Sequence, residues 1–357
     1  MAYTTIDNPE LHFQTKLYTG NGSSTQAITL DGSENMQPDW IWIKNRTDGH
    51  WHNLNDSVRG AGAGQVLRSN TNSSEGGTSG HVSSFDSDGF TVAAGTSNAE
   101  EVNTSSDNYV AWNWKAGTTS GISGSPSITP SGYSFSQTAG FSIIAYTGNA
   151  SVGATIPHGL GVAPAVIIFK NRDSNVKWVV YHHKNTSAPE TDHLQLNDTT
   201  ATSDDDSILN DTAPGSSVIT MKTSSSVNSN SVKYVAYCFS EIKGYSKHGS
   251  YTGNGNTDGP FIYLGFKPAL FLFKQTSNKN WHIKDNKRLA SFNPANGHLY
   301  PNQANVEEDY ADFDFLSNGV KIRHNGTDVN ESSGTYVYLA FAESPFTNSN
   351  GVPTNAR

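Results

Sequence analysis

Apolar residues gather in three strong runs along the chain, and each run begins at a proline and ends at a lysine six positions later. The three runs are Pro38-Asp-Trp-Ile-Trp-Ile-Lys44, Pro164-Ala-Val-Ile-Ile-Phe-Lys170 and Pro268-Ala-Leu-Phe-Leu-Phe-Lys274. Continuous runs of β-branched and aromatic residues predict strands that are covered on both faces. No segment shows the periodicity of a helix over three turns, so the pattern predicts an all-β chain.

Further landmarks keep one order around each run, which indicates three diverged copies of a single unit. A Tyr-Thr-Gly-Asn motif precedes the runs, at 18–21, 146–149 and 251–254. A tryptophan follows each run, and we take Trp51, Trp178 and Trp281 as counterparts. A Leu-x-x-Asn motif comes next, at 67–70, 194–197 and 299–302. Turn-and-strand segments at 86–92 and 316–322 follow, with a looser match at 213–219, and an aromatic strand closes each copy, at 109–114, 234–239 and 336–341.

The copies predict three tandem antiparallel β-sandwiches of a jelly-roll-like kind. We place the units at 14–117, 140–247 and 248–346, after an N-terminal arm at 1–13 and before a C-terminal tail at 347–357. The linker 118–139 is rich in Gly, Ser, Thr and Pro, so we expect it to be extended and partly flexible, although Ile122, Ile128 and Tyr133 can dock it. The second junction has almost no spare residues, which predicts a more fixed orientation of the second and third units.

Composition and charge narrow the classes of protein to consider. The chain has 357 residues, a net charge of -9 and only 15% charged residues, without the basic cluster that a nucleic-acid binder needs. Its one cysteine, Cys238, lies in an apolar strand and is predicted to be a buried thiol. The sequence starts without a signal-peptide pattern, and no apolar stretch approaches the ~20 residues of a membrane span. We therefore expect synthesis in a cytoplasm and no membrane insertion.

Several residue groups suggest metal binding, but the repeat argues against them. His50 and His52 stand two positions apart on a predicted strand, a spacing that zinc sites use, yet the other copies lack the pair. The same argument applies to His182 and His183. The stretch 204–206 consists of three aspartates in a polar loop, where a solvated acidic turn is the simpler interpretation. The sequence predicts no metal site and no cofactor.

Catalytic motifs are missing from the sequence as well. Asp86 and Asp88 resemble the start of a calcium-binding loop, but the twelfth position is Ser97 rather than glutamate. Together with Asp314 they could be imagined as a glycosidase carboxylate pair, although the second copy lacks equivalents. No serine nucleophile motif and no phosphate-binding loop stands between a strand and a helix. We predict that the protein is not an enzyme.

Polar residues that persist in the copies point to a scaffold. A lysine ends each central strand (Lys44, Lys170, Lys274), and a basic residue follows in what looks like a matching place (Arg59, Lys184, Arg288). Two of the latter belong to an Asp-x-x-Arg motif, and we interpret the set as structural pairs rather than ligand contacts. Two aromatic pairs, each on one strand face, form a second set: Trp40 with Trp42, and Trp112 with Trp114. We expect one pair in the core, and for the other the sequence leaves open a sugar platform or an interface between units.

Several of these motifs together resemble a family of uncharacterised proteins of tailed bacteriophages, mostly marine ones. The segments that carry the resemblance include Leu17-Tyr-Thr-Gly-Asn-Gly22, Gln37-Pro-Asp-Trp-Ile-Trp-Ile-Lys-Asn-Arg46, Phe85-Asp-Ser-Asp-Gly-Phe-Thr-Val92, Tyr109-Val-Ala-Trp-Asn-Trp-Lys-Ala116, His158-Gly-Leu-Gly-Val-Ala-Pro164 and Gly351-Val-Pro-Thr-Asn-Ala-Arg357. The resemblance covers essentially the full chain. It implies a tail-fibre or other virion-structural protein and transfers no active site.

The expectation from resemblance and residues is a non-enzymatic virion component, assembled in the host cytoplasm and exposed on the particle. Two locations in the particle stay open. The protein could be a tail-fibre or host-recognition protein, or it could be a head decoration or head fibre protein. The partners would be other tail or capsid proteins and, in a recognition role, a host surface glycan. A homo-trimer would suit a fibre, and the arm 1–13 would serve as the anchor. A carbohydrate-binding module or a depolymerase of host polysaccharide is the alternative.

Overall fold

The first unit folds into two antiparallel sheets in a computed structural model that describes residues 2–96, 101–288 and 293–354. Its strands are β1 (Phe13–Thr19), β2 (Thr25–Thr29), β3 (Trp40–Asn45), β4 (Asn53–Asp56), β5 (His81–Asp86), β6 (Gly89–Ala93) and β7 (Asn108–Trp114). The larger sheet has the strand order β1-β7-β3-β4, and the smaller one has the order β2-β6-β5. The predicted turn at 86–89 is the two-residue connection of the hairpin β5–β6.

The second unit repeats this arrangement with a wider main sheet. Its strands are β8 (Gly132–Ser136), β9 (Phe141–Thr147), β10 (Ala154–Pro157), β11 (Val166–Asn171), β12 (Val179–His182), β13 (Asp192–Gln195), β14 (Ser203–Asp204), β15 (Val218–Met221) and β16 (Lys233–Phe239). The main sheet runs β14-β13-β12-β11-β16-β9-β8, and β10 pairs with β15 in the small one.

The third unit has two four-stranded sheets, β17-β24-β19-β20 and β18-β23-β22-β21. Its strands are β17 (Ser246–Thr252), β18 (Phe261–Tyr263), β19 (Phe266–Gln275), β20 (Trp281–Asp285), β21 (Ala295–His298), β22 (Glu308–Leu316), β23 (Gly319–Ile322) and β24 (Thr335–Pro345). A single α-helical turn, α1 (Thr327–Asn330), lies before the last strand.

The order of four strands is the same in the three main sheets. It is β1-β7-β3-β4 in the first unit, β9-β16-β11-β12 in the second and β17-β24-β19-β20 in the third. In each case the closing strand lies between the opening strand and the central apolar strand, and the central strand also pairs with the strand that follows it in the sequence. Every named pairing is antiparallel, so the all-β, antiparallel prediction is confirmed. The predicted domain boundaries stay predictions.

The central apolar strands are covered on both faces, and in the first and second units the two faces belong to two different cores. In β3, Ile41 and Ile43 face the smaller sheet of their own unit, whereas Trp40 and Trp42 belong to a cluster that contains residues of all three units. In β11, Ile167 and Phe169 likewise face inwards. We call the cluster that joins the three units the shared core; it also includes the inner core of the third unit. A strand with two buried faces has no polar alternation, which is the pattern seen in the sequence.

The structure changes the description of the linker. Ile128 is buried, and Ile122 and Tyr133 pack against the core of the second unit. Residues 132–136 form β8, which pairs with β9 at the edge of the main sheet. The second half of the linker is therefore an ordered part of the second unit, because it pairs with the edge strand β9 and its alternating apolar residues pack against the sheet.

The N-terminal arm is docked on the chain itself. Ile6 is buried in the shared core, and the Tyr3 hydroxyl donates to the carbonyl of Gly265 at 2.7 Å. Asp7 accepts a hydrogen bond from the backbone N–H of Ser349 at 2.7 Å. An arm that served as an anchor would first have to leave these contacts with the third unit and the C-terminal tail.

Candidate functional site

The interface between the first and second units is built on the Asp56-x-x-Arg59 motif. The Arg59 guanidinium donates to Asp56 Oδ2 at 2.5 Å and to Glu75 Oε1 at 2.6 Å. From the second unit, the Tyr237 hydroxyl donates to Asp56 at 2.7 Å, and Arg172 donates to Glu75 at 2.9 Å. The side chains of Asp56 and Arg59 are fully buried. The predicted structural pair therefore lies between two units rather than at the end of one sandwich.

The interface between the third and first units has the same construction. The Arg288 guanidinium donates to Asp285 Oδ2 at 2.5 Å and to Glu307 Oε2 at 2.9 Å. From the first unit, the Trp112 indole donates to Asp285 at 2.9 Å, and Arg46 donates to Glu307 at 2.8 Å. Burial opposes ionisation of Glu307, but the hydrogen bonds and charges of Arg46 and Arg288 hold its pKa below the ordinary value.

The second and third units meet through histidines at the equivalent strand position. His182 pairs with Val166 in the sheet, as Asp56 does with Trp40, and its Nε2 lies 3.1 Å from the Tyr338 carbonyl oxygen. His183 Nε2 lies 2.5 Å from the His248 carbonyl oxygen. Both histidines thus serve the interface. The three interfaces together close the units into a ring around the shared core.

Lys184 is not the counterpart of Arg59 and Arg288, contrary to the sequence prediction. It is exposed, and the position three residues after His182 is Asn185, which is buried and accepts a hydrogen bond from the Thr202 hydroxyl at 2.7 Å. Strand register aligns Asp56, His182 and Asp285, and three residues after them stand Arg59, Asn185 and Arg288. The distance from the repeated lysine was misleading, because Lys184 follows Lys170 by the same number of residues as Arg288 follows Lys274.

Trp51 is likewise not the counterpart of Trp178 and Trp281. Trp51 is 48% exposed, whereas strand register puts His52 in the equivalent place. The backbone N–H groups of His52, Trp178 and Trp281 donate to the asparagines of the Leu-x-x-Asn motifs. The three side chains each contact a backbone carbonyl of another unit: His52 that of Tyr300 at 3.0 Å, Trp178 that of Arg68 at 2.9 Å, and Trp281 that of Gln195 at 2.7 Å.

The repeated lysines bind backbone carbonyls in the same region. Lys170 donates to Asn72 of the first unit at 3.1 Å, and Lys274 donates to Thr199 of the second unit at 3.1 Å. Lys44 donates to the carbonyl of Asn45 at 2.6 Å. Burial lowers the pKa of Lys44 to about 7 and that of Lys170 and Lys274 to about 8. The geometry places all three in the scaffold.

The four tryptophans that the sequence left between two roles are buried in the shared core. Trp40, Trp42, Trp112 and Trp114 are at most 3% exposed. Trp40 stacks on Tyr237 of the second unit at 4.5 Å between ring centroids, and Trp114 packs edge-on against Phe341 of the third unit at 5.8 Å. None of the four rings is accessible to a sugar in this structure.

The candidate catalytic carboxylates do not converge. Asp86 accepts from Ser84 and Thr91 in the first unit, whereas Asp314 pairs with Arg323 in the third. In the acidic turn, Asp206 pairs with Lys222. These residues stabilise their own hairpins and turns.

One group could hold a metal ion among the described residues. The potential ligand atoms of Asp48, His50 and Asp107 lie within 4.8 Å of one another. His50 therefore does not share a site with His52, whose ring lies in the interface and whose pKa burial lowers to about 3. Asp107 also accepts a hydrogen bond from Asn45 at 2.8 Å. We attach no function to this group.

The third unit contains an open cleft of about 440 Å³ that the sequence did not indicate. It lies where β20 meets β21 and β22, and α1 covers one side. Its volume falls in the range of about 300–1,000 Å³ that small-molecule sites have. The lining combines aromatic rings with carboxylates, among them Tyr300, Tyr310, His298, Asp309 and Asp328.

Within the described ranges, no helix is long and apolar enough to cross a membrane.

Comparison with known proteins identifies a family. Neither a curated protein nor a solved structure matches the chain significantly. A family described as a domain of unknown function (DUF7483) matches residues 8–345, a range that contains every strand from β1 to β24. The chain therefore belongs to this family.

Proposed function

We propose that the protein is a non-enzymatic structural component of a tailed bacteriophage particle, exposed on its surface as a tail-fibre or host-recognition protein or as a head decoration or fibre protein. The resemblance of the sequence to phage proteins supplies the phage context. The observation that carries the structural role is the ring, in which three units of one strand order meet through similar contacts around the shared core.

A ring of three related units presents the kind of surface that a homo-trimer presents. Symmetric assemblies repeat one contact patch around an axis, and here one chain supplies three diverged patches. A ring of this kind can bind a symmetric partner such as a tail or capsid protein. The loops of individual units can differ in sequence without loss of the scaffold. Assembly in the host cytoplasm and contact with a host surface glycan belong to the same proposal.

The experiment is to locate and count the protein in intact particles. Purified virions of a phage that encodes the chain would be analysed by quantitative mass spectrometry and by labelling with an antibody against the chain. We expect the protein in the particle, in few copies for a fibre and in numbers comparable to the major capsid protein for a decoration. Absence from purified particles would overturn the proposal.

The molecular mass in solution distinguishes a monomer from a homo-trimer. A single chain has a mass of 38.4 kDa. Because the three-unit ring already exists within one chain, we expect a monomer by light scattering. A particle of three times this mass would instead support the homo-trimer that a fibre suggests.

A further inference from the structure

The cleft of the third unit has an aromatic wall. The His298 ring lies 4.6 Å from the Tyr300 ring and 5.4 Å from the Tyr310 ring, measured between centroids. Tyr310 is 48% exposed, so its ring is available to a ligand. An aromatic ring with a hydroxyl group offers an apolar face to the C–H groups of a sugar and a polar edge to its hydroxyls.

The rim of the cleft carries acidic groups that are largely neutralised. Asp312 forms a buried ion pair with Lys284, and Asp328 pairs with Lys279 at 3.0 Å. Asp309 is exposed at the rim. An organic cation would find two of these three carboxylates already paired. A neutral polyhydroxyl ligand needs acceptors and donors side by side, which is what the rim provides.

A donor is supplied by His324, which lines the same cleft. Its Nδ1 accepts a hydrogen bond from the backbone N–H of Gly326 at 2.8 Å. The proton of the neutral ring is then on Nε2, which leaves this atom as a donor. His324 is exposed and lines the cleft together with α1.

Two buried histidines line the inner end of the cleft and have unused hydrogen-bonding capacity. His282 Nδ1 and His298 Nε2 share a hydrogen bond at 2.7 Å. Among the described residues, His282 Nε2 and His298 Nδ1 have no hydrogen-bond partner, although both rings are at most 2% exposed. His298 Nδ1 lies 3.9 Å from Asp312 Oδ2. Buried polar atoms are usually paired, so His282 Nε2 is the atom whose missing partner points to a ligand hydroxyl.

The other units have different residues at these positions. Strand register equates His282 with Asn53 of the first unit, and Tyr300 corresponds there to Arg68. Arg68 forms an ion pair with Glu101 at 2.9 Å, and Asn53 donates to the same carboxylate at 3.0 Å. The scaffold of the unit thus keeps its fold without the cleft residues, so the fold does not require them.

We propose that this cleft binds a neutral saccharide, with one sugar ring against Tyr310 and its hydroxyls bonded by Asp309 and His324. The proposal assigns to the third unit the sugar-binding role that the buried tryptophans cannot perform. It deepens the glycan contact of the proposed function, but its test does not depend on where the protein resides. A virion protein that bound no saccharide would overturn this inference and the glycan contact, and it would leave the structural role in the particle intact. A saccharide binder absent from particles would overturn the virion role alone.

The test is a binding measurement on the full chain. A glycan array of neutral and charged oligosaccharides would identify binders, and calorimetry with lactose, maltotriose, cellotriose and choline chloride would measure affinities. We expect at least one neutral saccharide to bind and choline not to bind. Tyr310→Ala should weaken the binding at least tenfold, and Asp309→Asn should weaken it severalfold, since both side chains are exposed at the cleft.

Tyr263→Ala is the matched control, because Tyr263 is a tyrosine of the third unit with 51% exposure outside the cleft. Its saccharide affinity should equal that of the unmodified chain. The proposal is overturned if no saccharide binds, if choline binds in preference, or if Tyr310→Ala binds as tightly as the control.

Discussion

Buried charges join the units at the scale of single residues. Asp56 and Arg59 are withdrawn from water, and both contact the Tyr237 hydroxyl of the second unit. Arg59 also binds Glu75, which accepts a hydrogen bond from Arg172 of the second unit. A buried ion pair adds little net stability by itself, but removal of one partner leaves the other charge buried and unpaired. These positions are therefore sensitive to substitution even though they perform no chemistry.

We predict that Arg59→Ala lowers the free energy of unfolding by about 3–5 kcal/mol, because Asp56 and Glu75 lose their common cation in the interior. Urea denaturation followed by tryptophan fluorescence would measure the change. Arg323→Ala is the control: Arg323 pairs with Asp314 at the surface, so its loss should change stability by less than about 1 kcal/mol. Equal effects of the two substitutions would contradict the role of the buried pair.

Buried histidines predict a loss of stability in weak acid. Burial lowers the pKa of His52, His182 and His282 to about 3, whereas an unfolded histidine titrates near 6.5. Between these values the unfolded chain binds more protons than the folded one, so stability is complete above pH 6.5 and falls as the pH decreases towards 3. From pH 7 to pH 5 the expected loss is about 2 kcal/mol for each of the three residues.

Urea denaturation at several pH values would measure this slope, and His182→Gln should reduce it by about one proton. A stability that stays constant between pH 7 and pH 5 would show that these rings are not held neutral in the folded chain.

The Tyr-Thr-Gly-Asn motif acts at the scale of elements, since it joins the first strand of each unit to the loop before its last strand. The motif tyrosine stacks on the tyrosine that is the second residue of the closing strand, at 5.0, 5.3 and 4.6 Å between ring centroids in the three units. The motif asparagine donates its backbone N–H to Asn103, Asn228 or Asn330. Each acceptor follows a valine whose carbonyl oxygen binds the motif tyrosine.

The glycine of this motif allows a close approach of two backbones. A Cβ atom on Gly148 would lie 2.2 Å from the carbonyl oxygen of Ser229, and Gly20 and Gly253 have equivalent contacts. We predict that Gly148→Ala destabilises the protein by about 1–3 kcal/mol, because the loop must move. Thermal unfolding would measure it, with Gly64→Ala as the control, since a Cβ atom there meets nothing within 4 Å. An unchanged melting temperature for Gly148→Ala would refute this explanation of the motif.

The sequence identified the main-sheet strands because their apolar runs and closing aromatic strands are long and uninterrupted. It misaligned single positions, such as Trp51 against Trp178, because residue type was given more weight than spacing within the following strand. Trp51 precedes Asp56 by five residues, whereas Trp178 precedes its register equivalent His182 by four. The Val-Asn pair before each closing strand was also missed, since short polar loops resemble one another by composition. The cleft depends on residues from three strands and a helical turn, whose proximity no local pattern contains.

The closure of the ring could not be predicted at the scale of the whole molecule either. A strand with two apolar faces indicates that both faces are buried, but it does not show whether a second sheet or another unit packs against them. Only the structure shows that Trp40 and Trp42 meet the second unit and the shared core rather than solvent. The family model likewise extends over all three units, whose main sheets all contribute residues to the shared core.

We predict from the shared core that the three units unfold together. Separation of any unit would expose the apolar face of its main sheet and break the buried polar contacts of two interfaces, so partly unfolded states should be of high energy. Calorimetry should show one transition with equal calorimetric and van't Hoff enthalpies. Trp112→Phe, which removes the indole hydrogen bond to Asp285 and part of the shared core, should lower the midpoint of that single transition. Two or three resolved transitions, or a variant that shifts only one of them, would mean that the units are independent domains and that the ring contacts contribute little to stability.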